Sequence, residues 1–233
     1  MSYSSELIAV VGPTGGGKST STENLNPSET FYINLSNKPL PFRGWMNKYK
    51  PYSSKTEEGK KGNYYNSNIS DVIVALLQNI SDNMPHIKYI IIDDYQYLMA
   101  DEFMRRAYEK GWDKYTELAR HAYDILDKSR NLRADIKVFV LTHDEVVKEG
   151  VNQRRKIKTI GNLLDDKISL EGMFTYVLFT HTEKVAGKDE PEYYFITNTD
   201  GYTTAKSPKG CLPYKMPNDL AKVAKAIDAY KVG

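Results

Sequence analysis

A short apolar segment that runs directly into a glycine-rich one constrains the fold most strongly. Residues 6–12 read ELIAVVG, an apolar and partly β-branched run ending in glycine, which is typical of a buried parallel strand. Residues 12–19, GPTGGGKS, then complete the pattern G-x-x-x-x-G-K-[ST]. A strand that leads into such a loop predicts an α/β fold with a mainly parallel sheet flanked by helices.

The residue types of this loop suit the phosphates of a nucleoside triphosphate such as ATP. Glycines let backbone N–H groups curl around an anion, and a helix expected to begin within 18–24 adds its positive dipole end. Lys18 is expected to act on the β- and γ-phosphates during catalysis, and the Ser19 hydroxyl to ligate Mg²⁺. The predicted nucleotide-binding residues are Gly12, Pro13, Thr14, Gly15, Gly16, Gly17, Lys18, Ser19 and Thr20.

A second apolar run, YIIIDD at 89–94, ends in two carboxylates. Because the carboxyl ends of parallel strands meet at one edge of a sheet, Asp93 and Asp94 are expected beside the phosphate loop. Asp93 is predicted to hold Mg²⁺ through water, and Asp94 to orient or deprotonate the attacking water. For Asp94, a helix-capping or turn role is the open alternative.

Two histidines end predicted strands. His143 follows the apolar residues of 136–142 and is predicted to sense the γ-phosphate, with a hydrogen-bonded structural role as the alternative. His181 ends the strand predicted over 174–181, and we interpret it as structural.

The remaining chain is predicted to form one domain over 1–233. Further strands are expected over 30–35, 86–98 and 192–198, with helices over 70–84 and 113–132 and a C-terminal helix capped by Asn218. Residues 36–66 and 147–167 show no clear period and are predicted to be a long insertion and a basic loop.

Composition excludes several classes of protein. The single cysteine, Cys211, rules out an intrachain disulfide and disfavours a cysteine-based zinc site. A net charge of +2 does not argue for nucleic acid by itself, so any basic surface must be local. The apolar run at the N-terminus is too short for a signal peptide or a membrane span, which favours a cytoplasmic protein without membrane contact.

Two segments concentrate positive charge. Residues 36–66 carry seven lysines and arginines against two glutamates, a balance of 7 − 2 = +5, with six aromatic residues between them. Residues 152–158, NQRRKIK, form the second segment. Cations that track a backbone and rings that stack on bases suit single-stranded DNA, although a solvated surface is the simpler alternative. The candidate DNA-binding residues are Arg43, Trp45, Lys48, Lys50, Arg154, Arg155 and Lys156.

The order of these segments resembles the phage-encoded RecA-like P-loop ATPases, a group that includes single-strand annealing proteins. The segments that carry the resemblance are the phosphate loop, KPLPFRGW (38–45), IIIDDYQYLM (90–99), VLTHDE (140–145) and TTAKSPKG (203–210). The resemblance implies a RecA-like core, to which the strands expected over 174–181 and 192–198 add a C-terminal β-hairpin, followed by the C-terminal helix. It also implies an ATPase that binds single-stranded DNA when loaded with ATP and Mg²⁺ and promotes annealing or recombination. Its implied assembly is a ring or filament of identical subunits, and a single-strand binding protein is a further implied partner.

The resemblance has further implications for individual residues. Lys206 and Lys209 resemble the lysines that RecA-like subunits extend into a neighbour's nucleotide; two solvated lysines are the alternative. The glutamate that RecA-type proteins carry after the second strand is missing from INLSNK (33–38), so either Asp94 takes its role or hydrolysis is slow. Two rivals stay open, a P-loop nucleotide kinase and an ATP-gated loader or clamp for a replication helicase. A GTPase is disfavoured because the guanine-reading N-K-x-D is absent.

Overall fold

The computed structural model describes residues 4–149, 152–159 and 170–232. Its strands are β1 (Glu6–Val11), β2 (Thr30–Asn34), β3 (Tyr64–Asn66), β4 (Tyr89–Asp93), β5 (Lys137–Thr142), β6 (Asp144–Glu149), β7 (Asn152–Ile157), β8 (Tyr176–Glu183), β9 (Glu192–Ile196) and β10 (Lys215–Pro217). Eight of them form one sheet in the order β10-β9-β8-β1-β5-β4-β2-β3, while β6 and β7 form a separate antiparallel hairpin.

The helices of the described residues pack on both faces of this sheet. They are α1 (Trp45–Lys48), α2 (Ser70–Asn83), α3 (Gln96–Arg105), α4 (Asp113–Arg130), α5 (Leu170–Met173) and α6 (Leu220–Val232). Apolar residues of α2, α3 and α4 form one core cluster with Leu7, Ala9 and Val11 of β1. The alternate residues of β1, Ile8 and Val10, join a second cluster with α6. Burial on both faces explains why the strand is apolar throughout instead of alternating.

The strand order brings the predicted site residues to one edge of the sheet. β1 pairs in parallel with both β5 and β8, and β5 pairs in parallel with β4. The carboxyl ends of β1, β4 and β5 therefore meet, with β5 between the strand of the phosphate loop and the strand of Asp93. At the other end, β8, β9 and β10 are antiparallel neighbours. This confirms the predicted α/β fold with a mainly parallel sheet flanked by helices, a C-terminal hairpin and a C-terminal helix.

The prediction that a helix begins within 18–24 is wrong. The chain forms only a 3₁₀ turn over Thr20–Thr22. The Ser21 hydroxyl donates to the Lys18 carbonyl and the Thr22 hydroxyl to the Ser19 carbonyl, so short polar side chains compete with helical backbone bonds. Pro27 then begins a second 3₁₀ turn.

The segments predicted as irregular contain ordered structure. Within 36–66, residues 45–48 form α1 and Tyr64–Asn66 form β3, which extends the sheet beside β2. Within 147–167, residues 147–149 and 152–157 belong to the β6–β7 hairpin, so the expected basic loop is wrong there. Residues 150–151 and 160–167 of that prediction lie outside the described residues.

Two further points concern the helices. Asp219, rather than Asn218, caps α6, because its Oδ1 accepts from the backbone N–H groups of Ala221 at 2.9 Å and Lys222 at 3.3 Å. Among the helices of the described residues, none has the length and apolar character needed to cross a membrane.

Candidate nucleotide-binding site

The phosphate loop depends on glycine at specific positions. Gly15 and Gly17 have φ values of +76° and +88°, in the left-handed region that other residues rarely adopt. Gly12 has no such φ, but a Cβ there would lie 1.8 Å from Thr180 Oγ1. The loop therefore follows the neighbouring strand β8 too closely for any side chain at that position.

Lys18 is held at the centre of the loop. Its Nζ donates to the carbonyls of Gly12 at 2.8 Å and Pro13 at 2.9 Å, and the residue is 6% exposed. Burial lowers the pKa of Lys18, while the carboxylates of Asp94 and Asp93 raise it. The side chain therefore places a cation inside the loop, and its contact with phosphates stays a prediction.

Ser19 and Asp93 provide oxygen ligands of the kind that Mg²⁺ prefers. Ser19 Oγ donates to Asp93 Oδ1 at 3.1 Å, and Tyr32 Oη donates to Asp93 Oδ2 at 2.5 Å. Burial raises the pKa of Asp93 to about 6, against the hydrogen bond from Tyr32, which lowers it. A hydroxyl beside a carboxylate, next to a phosphate cradle, fits an ion bound through one carboxylate and the phosphates of the ligand.

Asp94 lies in a turn and forms an ion pair. Its φ is +62°, and its Oδ2 lies 3.1 Å from the Nζ of Lys38. Burial raises the pKa of Asp94, but hydrogen bonds from Ser36 and Lys38 outweigh it, so the pKa is lowered overall. A carboxylate with a low pKa is a weak general base. The arrangement suits orientation of a water molecule better than deprotonation.

His143 lies within reach of the same group. Its Nε2 is 3.9 Å from Asp94 Oδ1, and burial, followed by the charge of Lys18, lowers its pKa. His143 directly follows β5 and presents a neutral imidazole near Asp94, and its sensor role stays a prediction. His181, in contrast, pairs with Glu183, with 3.1 Å between His181 Nε2 and Glu183 Oε1.

One cavity of about 770 Å³ joins these groups. Thr14 to Thr20 lie along it, with Asp93, Asp94 and His143 on the β4 and β5 side. Several residues that sequence reasoning missed also line it, among them Lys38 and, on the β9 and β10 side, Tyr193. Asn218, which the sequence predicts as a helix cap, belongs to the same wall.

The glycine-rich loop, its lysine and the neighbouring carboxylates thus form one cavity whose chemistry suits the phosphates of a nucleotide. The comparisons with protein-family models and with curated proteins give no match. Among solved structures, the chain is similar to a KaiC-like protein from the hyperthermophilic archaeon Pyrococcus horikoshii OT3. The TM-score is 0.47 at 11% identity, and the alignment covers 87% of this chain and 83% of that one.

A second cavity, of about 530 Å³, lies under the β6–β7 hairpin. Arg154, Lys156 and Lys206 line it together with Glu171. The Nε of Arg154 is buried without a hydrogen-bond partner among the described residues, whereas Lys156 Nζ lies 3.4 Å from Glu145 Oε1. The structure thus joins two of the predicted DNA-binding residues with one of the lysines predicted to act on a neighbouring subunit.

The other residues of these predicted sets lie elsewhere. The Arg155 guanidinium forms an ion pair with Asp144 at 2.7 Å and stacks over the Phe179 ring. Both contacts engage the group within the chain. Lys209 is exposed in the segment that precedes Cys211. Neither Lys206 nor Lys209 lines the described nucleotide cavity of its own chain.

The aromatic residues of 36–66 serve mainly in packing. Phe42 and Tyr49 are buried, so the expectation that they stack on bases is wrong. Trp45, half-buried, packs on Tyr64 with ring centroids 5.6 Å apart. Among the predicted DNA-binding cations of this segment, Lys48 donates to the Glu23 carbonyl and Lys50 to that of Met46, while Arg43 is exposed.

Exposed rings occur instead between α3 and α4. Tyr108 is 98% exposed and Trp112 is 79% exposed, next to the exposed Lys110. These rings stand in a polar stretch, RRAYEKGWDK, that has no helical apolar period. Aromatic residues in such a stretch indicate exposed rings, and sequence reasoning overlooked them.

Proposed function

We propose that this chain is a Mg²⁺-dependent ATPase of the phage recombination type that binds single-stranded DNA in its ATP-bound state and promotes annealing. The observation that carries the proposal is the convergence of Lys18, Ser19, Asp93 and Asp94 on one cavity at the carboxyl edge of the sheet. This set supplies a cation for phosphates, oxygen ligands for Mg²⁺ and a carboxylate near the γ-phosphate position.

Each group has a distinct task in this proposal. Lys18 and the loop N–H groups hold the phosphates, and Ser19 with Asp93 holds Mg²⁺, which supplies charge neutralisation when bound. Asp94 orients the attacking water, and His143 senses the γ-phosphate. Because Asp94 is tied to Lys38, hydrolysis is slow and ATP serves more as a switch than as a fuel.

The DNA part of the proposal is supported by the cavity under the hairpin. Arg154 and Lys206 present cations there, and phosphate contacts of this kind supply most sequence-independent affinity. Tyr108 and Trp112 offer exposed rings for stacking on bases, which sequence-tolerant binding uses. In a ring or filament, Lys206 and Lys209 would approach the nucleotide of the next subunit.

The test is binding of a fluorescent oligodeoxythymidylate by anisotropy, with ATP–Mg²⁺, with ADP–Mg²⁺ and without nucleotide. We expect tight binding only with ATP–Mg²⁺, and loss of that difference in Lys18→Ala. Absence of binding in all three conditions would sink the DNA proposal. Equal binding in all three would contradict the ATP switch.

Subsequent pairing of two complementary strands, followed by fluorescence transfer, tests annealing. Strand pairing that does not depend on the protein would contradict this step. The same assay with a single-strand binding protein added would show whether the two act together.

A further inference from the structure

Asn218 occupies an unusual position at the nucleotide cavity. It stands directly before Asp219, which caps α6, and therefore its own side chain is not needed at the helix end. The side chain lines the cavity instead, and its Nδ2 is buried without a hydrogen-bond partner among the described residues. A buried donor that lacks a partner is rare in native proteins, and beside a cavity it points to an acceptor supplied by a ligand.

The backbone around Asn218 fixes this position. Its N–H donates to the carbonyl of Tyr193 at 3.2 Å, at the end of the β9–β10 pairing. On the other side, Asn24 Nδ2 donates to Asp219 Oδ2 at 3.0 Å, which ties the segment after the phosphate loop to the start of α6. Two independent contacts therefore hold Asn218 against the loop.

Tyr193 lies beside Asn218 in the same wall. A Cβ built on Gly17 would lie 3.0 Å from Tyr193 Cδ1 and 3.2 Å from Asn218 Oδ1, so both side chains directly adjoin the phosphate loop. The Tyr193 ring is 40% exposed and lines the cavity. A partly exposed ring next to an amide donor is the combination that reads a flat, polar heterocycle.

The strand order shows which part of a nucleotide would meet this pair. Asp93, Asp94 and His143 lie on the β4 and β5 side of β1, whereas Tyr193 and Asn218 lie on the β9 and β10 side. A triphosphate whose γ-phosphate points towards Asp94 therefore directs its nucleoside towards Asn218.

We propose that Asn218 and Tyr193 form the nucleoside subsite of this protein. Asn218 Nδ2 donates a hydrogen bond to an acceptor of the nucleoside, and the Tyr193 ring packs against the base. This inference rests on the proposed nucleotide-binding function and adds the residues that distinguish a nucleotide from a bare polyphosphate.

The experiment compares ATP–Mg²⁺ with tripolyphosphate–Mg²⁺ by isothermal titration calorimetry. The proteins are the wild type, Asn218→Ala, Tyr193→Leu and a control on the exposed side of α6, Lys225→Ala. We expect Asn218→Ala and Tyr193→Leu each to weaken ATP binding about tenfold, the effect of one hydrogen bond or one stacking contact. Tripolyphosphate binding should stay within about twofold, which also shows that each variant is folded, and Lys225→Ala should change neither.

Two results would overturn this inference and leave the proposed nucleotide-binding function intact. One is equal weakening of ATP and tripolyphosphate, which would mean that these residues only shape the phosphate loop. The other is unchanged ATP binding in both variants. Failure of the underlying function is recognised separately: the wild type would bind neither ligand, or Lys18→Ala would bind tripolyphosphate as well as the wild type, and the inference would fall with it.

Discussion

Lys38 Nζ and Asp94 Oδ2 lie 3.1 Å apart where β2 and β4 end at the same edge of the sheet. Both partners depend on left-handed backbone, since Asn37, directly before Lys38, has a φ of +56° and Asp94 itself one of +62°. Asparagine and aspartate tolerate this region better than most residues, but it is still sparsely populated and concentrates at functional sites. The ion pair therefore places a cation and a carboxylate together in the cavity, at the end where we propose that the γ-phosphate lies.

The Asp94→Asn variant tests the catalytic part of this relationship. The substitution keeps the size of the side chain but removes the charge that would orient a water molecule. We expect ATP affinity within about threefold of the wild type and a fall in kcat of roughly tenfold to a hundredfold. Single-turnover hydrolysis and calorimetry measure the two quantities separately. An unchanged kcat would assign Asp94 to the turn alone.

The Asp93→Asn variant should gain stability while it loses activity. Burial raises the pKa of Asp93 from its ordinary value of 3.8 to about 6. Between these values the folded chain binds a proton that the unfolded chain lacks, so this group's contribution to stability falls as pH rises through the window. Above it, the buried carboxylate costs on the order of 1–3 kcal/mol.

Thermal unfolding without nucleotide and Mg²⁺ checks this prediction. Asp93→Asn should raise Tm at pH 8 by several degrees, and the gain should shrink towards pH 4. The same variant should lose ATP hydrolysis, because a neutral amide replaces the carboxylate that we propose to hold Mg²⁺. A Tm difference that does not vary with pH would show that the carboxylate is not responsible.

The contact between Gly12 and Thr180 predicts a steric coupling. In Gly12→Ala the new Cβ would meet Thr180 Oγ1 at 1.8 Å, although the φ of residue 12 tolerates alanine. We expect a loss of about 1–3 kcal/mol in the free energy of unfolding and weaker ATP binding. Thr180→Gly, combined with Gly12→Ala, should cost less than the sum of the two single changes. Additive losses in a double-mutant cycle would show that the two residues do not interact.

The cavity under the hairpin predicts a specific change in salt dependence. Replacing Arg154 and Lys206 by alanine should weaken single-stranded DNA binding and reduce the slope of log K against log salt by about 0.7 for each DNA phosphate that the variant no longer neutralises. Lys225→Ala with Lys231→Ala removes the same charge from α6 and serves as the control. Equal effects in the two double variants would point to net charge rather than to this cavity.

Much of the site could be predicted because it is encoded locally. The phosphate loop from Gly12 to Ser19 and the apolar run that ends in Asp93 each contain their own context, a strand and then polar residues. Parallel pairing alone then places them at one edge. The structure agrees with the predicted positions of both.

The residues that were missed depend on long-range pairing. Lys38 reaches Asp94 only because β2 lies beside β4, and Asn218 reaches the loop only because β10 closes the opposite end of the sheet. Neither order can be derived from spacing along the chain. The β6–β7 hairpin was missed because NQRRKIK is mostly charged or polar and lacks the apolar alternation of a strand. Among the described residues of β7, only Ile157 is apolar and buried.

The most direct test of the account follows the γ-phosphate of labelled ATP with purified protein, Mg²⁺ and single-stranded DNA. We predict release of inorganic phosphate, slow without DNA and faster with it, that requires Mg²⁺ and is lost in Lys18→Ala. Transfer of the label to an added nucleoside monophosphate would contradict the account in favour of a kinase. Retention of the label on ATP under every condition would contradict the proposed ATPase.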